Sequence, residues 1–151
     1  MKKDIKIIID WTLKFMDMYS DDAAELVFRT GMAETGYRAL KQMGNGPALG
    51  FFQCEPKTML DIMQNYVDYR QGIKHKLIAL GYNEEHSSDL LMSNIALQVA
   101  FCRLKYRRDK HPIPKKEDLE GQAEYWKRVY NSHLGKGTIE HFISNNSIKE
   151  K

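Results

Sequence analysis

The sequence predicts an all-α fold, a compact helical domain arranged around one buried central helix. Apolar residues recur at intervals of three and four through most of the chain, which is the period of an amphipathic helix. Residues 90–108 are apolar on nearly every side, as expected of a helix enclosed by others. No segment shows the strict alternation of a strand, so a minor β-hairpin between residues 37 and 53 is the most β-structure that we expect.

Helix start and stop signals place the elements in order. Ser20 precedes two acids and suits an N-cap, Pro56 suits a first helical turn, and Gly81 suits the position after a C-cap. Glycines and a proline make residues 35–50 an irregular loop. The predicted helices cover about residues 3–18, 21–34, 56–66, 70–80, 90–108, 116–131 and 139–144.

Length and composition fit one globular domain. The chain has 151 residues, of which 42% are hydrophobic and 28% are charged. We expect a single domain over residues 1–151, with its core at about 4–144 and a polar tail, 145–151, that frays. The net charge of +3 is compatible with an anionic polymer as partner without requiring one. Cys54 and Cys102 lack metal-ligand spacing, so free buried thiols are expected, with a disulfide as the minority alternative.

Several kinds of segment and site are not expected. Charges among the first six residues argue against a secretory signal peptide, and no run of 18 apolar residues predicts a membrane span. The five histidines form no ligand cluster, and the chain lacks a phosphate-binding loop and a nucleophile elbow. We therefore predict neither a metal nor a cofactor, and we expect a reducing compartment unless the protein is released some other way.

Glu34 is the strongest candidate for chemistry. It ends an apolar helix and follows Leu26, Val27 and Thr30 by eight, seven and four positions, which places these side chains on one helix face. A carboxyl group turned toward that face would have a raised pKa and could act as a general acid near neutral pH. A side chain that swings into solvent at the helix end fits the spacing equally well.

Two later segments could complete a cleft for a polar substrate. Gly50 allows a backbone to approach closely, and the Gln53 amide can bond sugar hydroxyls. Tyr130 and Asn131 end a helix and could meet the same ligand. Taken alone, each pattern favours a structural interpretation, namely a hydrophobic plug with Gln53 bonded internally, and core aromatics followed by a helix cap.

No second carboxylate stands out as a partner for Glu34. Glu55 precedes Pro56, so favourable charge at a helix N-terminus explains it, and Asp61 is expected to face solvent. Most glycosidases use a pair of carboxylates, so the lack of a strong second candidate is informative about mechanism.

A basic run around Tyr106 spans residues 105–116. It could contact nucleic acid, but a solvated helix end with cations near the negative end of the helix dipole explains it better. Nucleic acid is therefore an unfavoured partner.

Four short motifs, in their order along the chain, resemble the soluble lytic transglycosylase and goose-type lysozyme group of the lysozyme-like superfamily. That family has a helix ending in Glu-Ser, a Gly-Leu-Met-Gln segment before a proline, an Asn-Ile pair opening a long central helix, and a late Ala-Tyr-Asn-Ala-Gly motif. The counterparts here are Glu34-Thr35, Gly50-Phe51-Phe52-Gln53 with Pro56, Asn94-Ile95, and Val129-Tyr130-Asn131. The resemblance covers about residues 20–140, and two of these segments also look like small phage proteins of the same type.

The resemblance implies a lysozyme-like domain that cleaves peptidoglycan, with Glu34 as the single catalytic acid/base at the bond between N-acetylmuramic acid and N-acetylglucosamine. In that family one carboxylate suffices, because the substrate's own acetamido group stabilises the oxocarbenium-like centre. The implied substrate-binding residues are Gly50, Phe51, Gln53, Tyr130 and Asn131. This chain departs from the family pattern at Thr35, at Phe51-Phe52 and at Ser132-His133, which follow Asn131 in place of Ala-Gly.

The resemblance also implies partners and a place of action. Peptidoglycan glycan strands would be the substrate, and other phage virion proteins would be further partners. A phage-encoded enzyme of this kind is carried in the virion, or is released from the host cytoplasm to the periplasm and cell wall. The alternative is a non-catalytic virion component with the same fold that binds glycan or another virion protein.

Overall fold

The computed structural model describes residues 1–42, 46–131 and 135–147, and this part of the chain is all-α, as predicted. Short 3₁₀ turns lie at Val67–Tyr69 and Glu84–His86, and a π-helical segment lies at Trp126–Asn131. The α-helices are α1 (Lys2–Phe15), α2 (Asp21–Glu34), α3 (Pro56–Asn65), α4 (Gln71–Ala79), α5 (Ser87–Ser93), α6 (Ile95–Arg107), α7 (Leu119–Tyr125) and α8 (Ile139–Asn146).

Helix α6 lies at the centre of the fold. Every residue from Leu97 to Leu104 is buried, so the helix has neighbours on all sides. One side of α6, with Val99, packs in a cluster with α1, α2 and α8, whereas the other side, with Phe101, packs in a cluster with α3 and α4. This arrangement confirms the prediction of a buried central helix and explains why its apolar residues show little amphipathic bias.

The predicted helix over residues 90–108 is in fact two helices. The backbone of Asn94 is extended, and its side chain accepts a 3.0 Å hydrogen bond from the Leu97 N–H, which caps α6. The same side chain donates to the Leu80 carbonyl at 2.9 Å, so it also ties the end of α4 to this break. The prediction of one continuous helix was wrong because the apolar pattern runs on through the cap without interruption.

Two other predicted boundaries also differ. Helix α1 ends at Phe15 instead of near residue 18, because Asp17 adopts a left-handed backbone with φ of 56°. The predicted helix over residues 116–131 begins at Leu119, after the Asp118 N-cap, and its last turn is π-helical. The start signals at Ser20 and Pro56 are confirmed, since the Ser20 hydroxyl accepts from the Ala23 N–H at 3.0 Å and Pro56 is the first residue of α3.

The loop that follows α2 contains no strand among its described residues. Its described residues form two isolated β-bridges, Lys41 with Leu49 and Leu49 with Cys54. These bridges stand where the sequence allowed a minor β-hairpin. Residues 43–45 of the loop lie outside the described part of the chain. Gly50 has φ of 80°, and a Cβ there would lie 2.4 Å from the Leu91 carbonyl oxygen, so the loop packs directly on the backbone of α5.

Helix α8 covers the C-terminal end of α2. His141 Nε2 donates to the Ala33 carbonyl at 2.9 Å, and the amides of Asn145 and Asn146 donate to the Met32 and Arg29 carbonyls at 3.1 Å each. The first two bonds satisfy carbonyl groups in the last turn of α2, which have no partner within the helix, whereas the third adds a donor to the Arg29 carbonyl further inside it. Helix α8 thus extends through Asn146, inside the tail 145–151 that was predicted to fray, and residues 148–151 of that tail lie outside the described part.

Two further observations concern the cysteines and the membrane. Cys54 and Cys102 are both free and buried, as expected. None of the helices within the described ranges is long and apolar enough to cross a bilayer.

Candidate functional site

Glu34 is the last residue of α2, and its carboxyl group faces the π-helical segment. The indole Nε1 of Trp126 donates a hydrogen bond of 3.0 Å to Glu34 Oε2. The side chain is partly buried and does not swing out into bulk solvent. Of the two conformations that the spacing allows, the structure has the one in which the Glu34 carboxyl group turns toward the fold.

The surroundings of Glu34 raise its pKa to about 7. Burial is the largest cause, because the charged carboxylate loses water. Other groups stabilise the carboxylate and so lower the pKa. The largest of these effects is the hydrogen bond from Trp126, followed by the charges of Lys105 and His141 and by the Asn131 side chain. With a pKa of about 7, both protonation states of Glu34 are well populated near neutral pH.

Trp126 is held in place by close packing. Its side chain is only 1% exposed, and its ring lies 5.2 Å from the ring of Phe142 in α8. A Cβ on Gly137 would lie 2.5 Å from Trp126 Cη2, so only glycine lets the backbone pass so near the indole. Gly137 and Phe142 thereby fix the donor that holds the Glu34 carboxyl.

Two lysines approach the same end of the fold. Lys105 Nζ donates to the Tyr130 carbonyl at 2.7 Å and lies 4.1 Å from the centre of the Tyr130 ring. Lys127 Nζ donates to Asn131 Oδ1 at 2.8 Å. The side-chain oxygen of Asn131 thus accepts from Lys127. The side-chain NH₂ group of Asn131 is left to donate to Glu34 or to a ligand.

Three side chains tie the segment Gly50-Phe51-Phe52-Gln53 to this region. The hydroxyl of Thr35 donates to the Phe51 carbonyl at 2.8 Å, and the hydroxyl of Tyr130 donates to the Phe52 carbonyl at 2.6 Å. Gln98 of α6 accepts from the Phe51 N–H at 2.9 Å. The loop is therefore connected to the end of α2, to the central helix and to the π-helical segment.

The residues predicted to bind substrate lie close together, but most of them point inward. Tyr130 is buried near Glu34, whose charge acts on it, and its hydroxyl is already bonded. Gln53 donates from its amide to the Gly50 carbonyl at 2.9 Å, which is the internal bonding considered as an alternative.

Gly50 and Phe51 are both buried and do not line an open cleft. Phe51 is 7% exposed, and its ring packs against that of Tyr37 at 5.5 Å. Gly50 is buried against α5 and Gln98. Core packing therefore occupies both positions, and their role in binding a substrate stays a prediction.

Three residues of the Glu34 environment were not singled out as site residues from the sequence. In the sequence, Lys105 lies in the basic run, Trp126 lies among the aromatic residues that precede Tyr130, and no motif contains His141. The separation of 92 residues between Trp126 and Glu34 gives no periodic signal. The one sequence signal for this donor is that Trp126, whose indole can donate a hydrogen bond, lies four and five residues before the candidate residues Tyr130 and Asn131.

The basic run is largely paired with acids. Arg108 contacts Asp61 at 2.6 Å, and Lys115 and Lys116 lie 3.9 and 4.0 Å from Asp22 and Asp21. Across the described ranges, no three His, Cys, Asp or Glu side chains come together as a metal site requires. Two surface grooves, of about 170 and 300 Å³, lie elsewhere, and Glu34 lines neither of them.

Comparisons with known proteins identify no family for this chain. No protein-family model, no curated protein and no solved structure matches it.

Proposed function

We propose that the protein cleaves the glycan strands of peptidoglycan as a lytic transglycosylase-type enzyme, with Glu34 as its single catalytic acid/base. One observation carries the proposal: a partly buried carboxyl group with a pKa of about 7, held by an indole N–H at a helix end. A general acid works best when its pKa lies near the working pH, because both protonation states are then accessible.

The proton of Glu34 would reside on Oε1. Oε2 accepts the hydrogen bond from Trp126 Nε1, and an indole nitrogen can only donate. Since the other oxygen is left to carry the acidic hydrogen, Trp126 assigns the proton transfers to Oε1.

The reaction requires two proton transfers through that oxygen. Glu34 first protonates the glycosidic oxygen between N-acetylmuramic acid and N-acetylglucosamine, and the bond to the muramic carbon breaks. The acetamido group of the substrate supports the positive charge that develops on that carbon. The Glu34 carboxylate then removes a proton from the muramic 6-hydroxyl, whose oxygen closes the 1,6-anhydro ring, and the enzyme returns to its starting state.

Lys105 and His141 support the second half of this cycle. Both favour the ionised form of Glu34, which exists between the two proton transfers. Burial favours the neutral form, so the two influences balance near neutral pH. This balance suits a group that must give a proton and take one back.

Digestion of purified cell walls tests the proposal. The wild-type chain should reduce wall turbidity, and Glu34→Gln should abolish the effect. Asp61→Asn is the matched control, since it neutralises an exposed acid that is bonded to Arg108. Mass spectrometry of the products should show 1,6-anhydro sugars; reducing ends would indicate hydrolysis instead, and no cleavage by the wild type would overturn the proposal.

The second candidate is a non-catalytic virion protein that binds glycan or another virion protein. The inward bonding of the Tyr130 hydroxyl and the Gln53 amide favours it, because both groups are then withheld from a substrate. Equal binding of walls by the wild type and Glu34→Gln, without cleavage by either, would support this candidate.

A further inference from the structure

A groove on another side of the fold contains a buried guanidinium group without an acidic partner. It lies between the end of α6, the segment after it and the start of α2, and it has a volume of about 300 Å³. Arg103, which lines this groove, is only 9% exposed. Its Nε donates to the Met18 carbonyl at 3.1 Å, and among the described residues no carboxylate pairs with it.

The neighbouring charge makes this arrangement less favourable still. Arg107 follows Arg103 by one helical turn and lines the same groove. Burial, and then the charge of Arg107, both lower the pKa of the Arg103 guanidinium. Two cations in one groove, one of them buried, are costly unless an anion offsets their charge.

The acids of the groove are already engaged by other groups. Asp22 accepts from the Lys116 backbone N–H at 2.9 Å and lies 3.9 Å from Lys115 Nζ. Asp109 accepts from the His111 N–H at 3.1 Å and lies 3.5 Å from Arg128 Nη1. Among the described residues that line the groove, the cations without an acidic partner are therefore the two arginines.

Apart from Ser20 and His111, the other walls of the groove are apolar or aromatic. Tyr125, Pro112 and Ile113 line it beside the arginines. A guanidinium fork matches a planar carboxylate through two parallel hydrogen bonds. A doubly charged phosphate fits less well, because Asp22 and Asp109 lie in the same groove and would repel the second charge.

We propose that this groove binds a carboxylate carried on a small apolar group, such as the free C-terminus of a short peptide, with Arg103 and Arg107 as the anion-binding residues. The site lies outside the Glu34 region, so it is independent of whether the protein cleaves glycan.

Titration with N-acetylalanine, followed by ¹H–¹⁵N NMR of the labelled chain, tests the proposal. Saturable shifts should appear at the Arg103 Nε–H signal and at backbone amides of residues 106–113. Inorganic phosphate should bind more weakly under the same conditions.

Three variants make the test specific. Arg103→Met and Arg107→Met each remove one positive charge from the groove and should weaken binding about tenfold. Arg108→Met removes an identical charge one residue further along, where the side chain pairs with Asp61 and does not line the groove, and should leave binding unchanged. If Arg103→Met does not fold, Arg107→Met answers the question alone, since Arg107 is exposed.

Three outcomes would overturn the proposal. They are the absence of saturable shifts in the wild type, an equal loss of binding in Arg108→Met, and tighter binding of phosphate than of N-acetylalanine. The second outcome would indicate general charge attraction, and the third a phosphate site.

Discussion

Trp126 Nε1 donates a 3.0 Å hydrogen bond to Glu34 Oε2 and so joins the end of α2 to the π-helical segment, 92 residues later in the chain. The bond stabilises the carboxylate, while burial of the same group destabilises it more strongly. The competition between these two effects gives Glu34 its unusual pKa and leads to the first two predictions.

Glu34 should make the stability of the fold depend on pH. The pKa of Glu34 is about 7 in the folded state and 4.5 in the unfolded chain, so the folded state binds the proton more tightly. Its contribution to stability is fully present below pH 4.5 and is lost as the pH rises through 7. The shift corresponds to about 3 kcal/mol, so Glu34→Gln should gain up to that amount relative to the wild type between pH 4.5 and 8. Urea unfolding of both proteins at several pH values measures this, and parallel curves would contradict it.

Trp126→Phe should raise the pKa of Glu34 further. The variant keeps an apolar ring beside the carboxyl but removes the N–H that stabilises the carboxylate. Titration of the Glu34 side-chain carbonyl carbon by ¹³C NMR gives the pKa directly. Trp11→Phe is the control, since Trp11 is 56% exposed and lies on α1. An unchanged or lowered pKa in Trp126→Phe would show that the indole does not act on the acid.

Gly50→Ala should destabilise the fold by about 2 kcal/mol or more, whereas Gly72→Ala should stabilise it slightly. At Gly50 the backbone has φ of 80° and the new Cβ would lie 2.4 Å from the Leu91 carbonyl oxygen. At Gly72, in helix α4, nothing lies within 4 Å of the added carbon. Thermal unfolding of the two variants gives the comparison; equal melting temperatures would contradict the close packing of the loop on α5.

Thr35→Val should cost about 1–3 kcal/mol, and Thr35→Ser should cost much less. The Thr35 hydroxyl donates to the Phe51 carbonyl at 2.8 Å and accepts from the Tyr37 N–H at 3.1 Å. Valine keeps the shape but loses both bonds, whereas serine retains them. Chemical denaturation measures the difference. If serine and valine are equally destabilising, the methyl group of Thr35 and not its hydroxyl holds the loop.

The fold was predictable where a local signal exists. Ser20 and Pro56 mark helix starts through their own chemistry, and the structure places helices after both. Asn94 carries an equally good cap signal, but it lies inside a long apolar pattern that argued for a continuous helix. The left-handed backbone at Asp17 has no such signal, since most aspartates keep a negative φ although the residue tolerates a positive one.

The candidate site was predictable only in its centre. The face of α2 that bears Glu34 can be derived from helical spacing, whereas the donor that holds the carboxyl comes from a distant segment. Likewise, His141 reaches the end of α2 from α8 because of tertiary packing. Residues that act through space on a buried acid leave no periodic trace in the sequence, so Lys105, Trp126 and His141 emerge only from the three-dimensional arrangement.

The indole that contacts Glu34 also makes the protein a natural optical probe. The chain has two tryptophans, of which Trp11 is exposed and Trp126 is almost fully enclosed. With Trp11 replaced by phenylalanine, the tryptophan fluorescence of the unlabelled protein comes from one ring, whose nitrogen donates to the titrating carboxyl group. Gain or loss of a single proton at Glu34 should then change the emission, so that protonation of this acid can be followed in real time as the pH is varied.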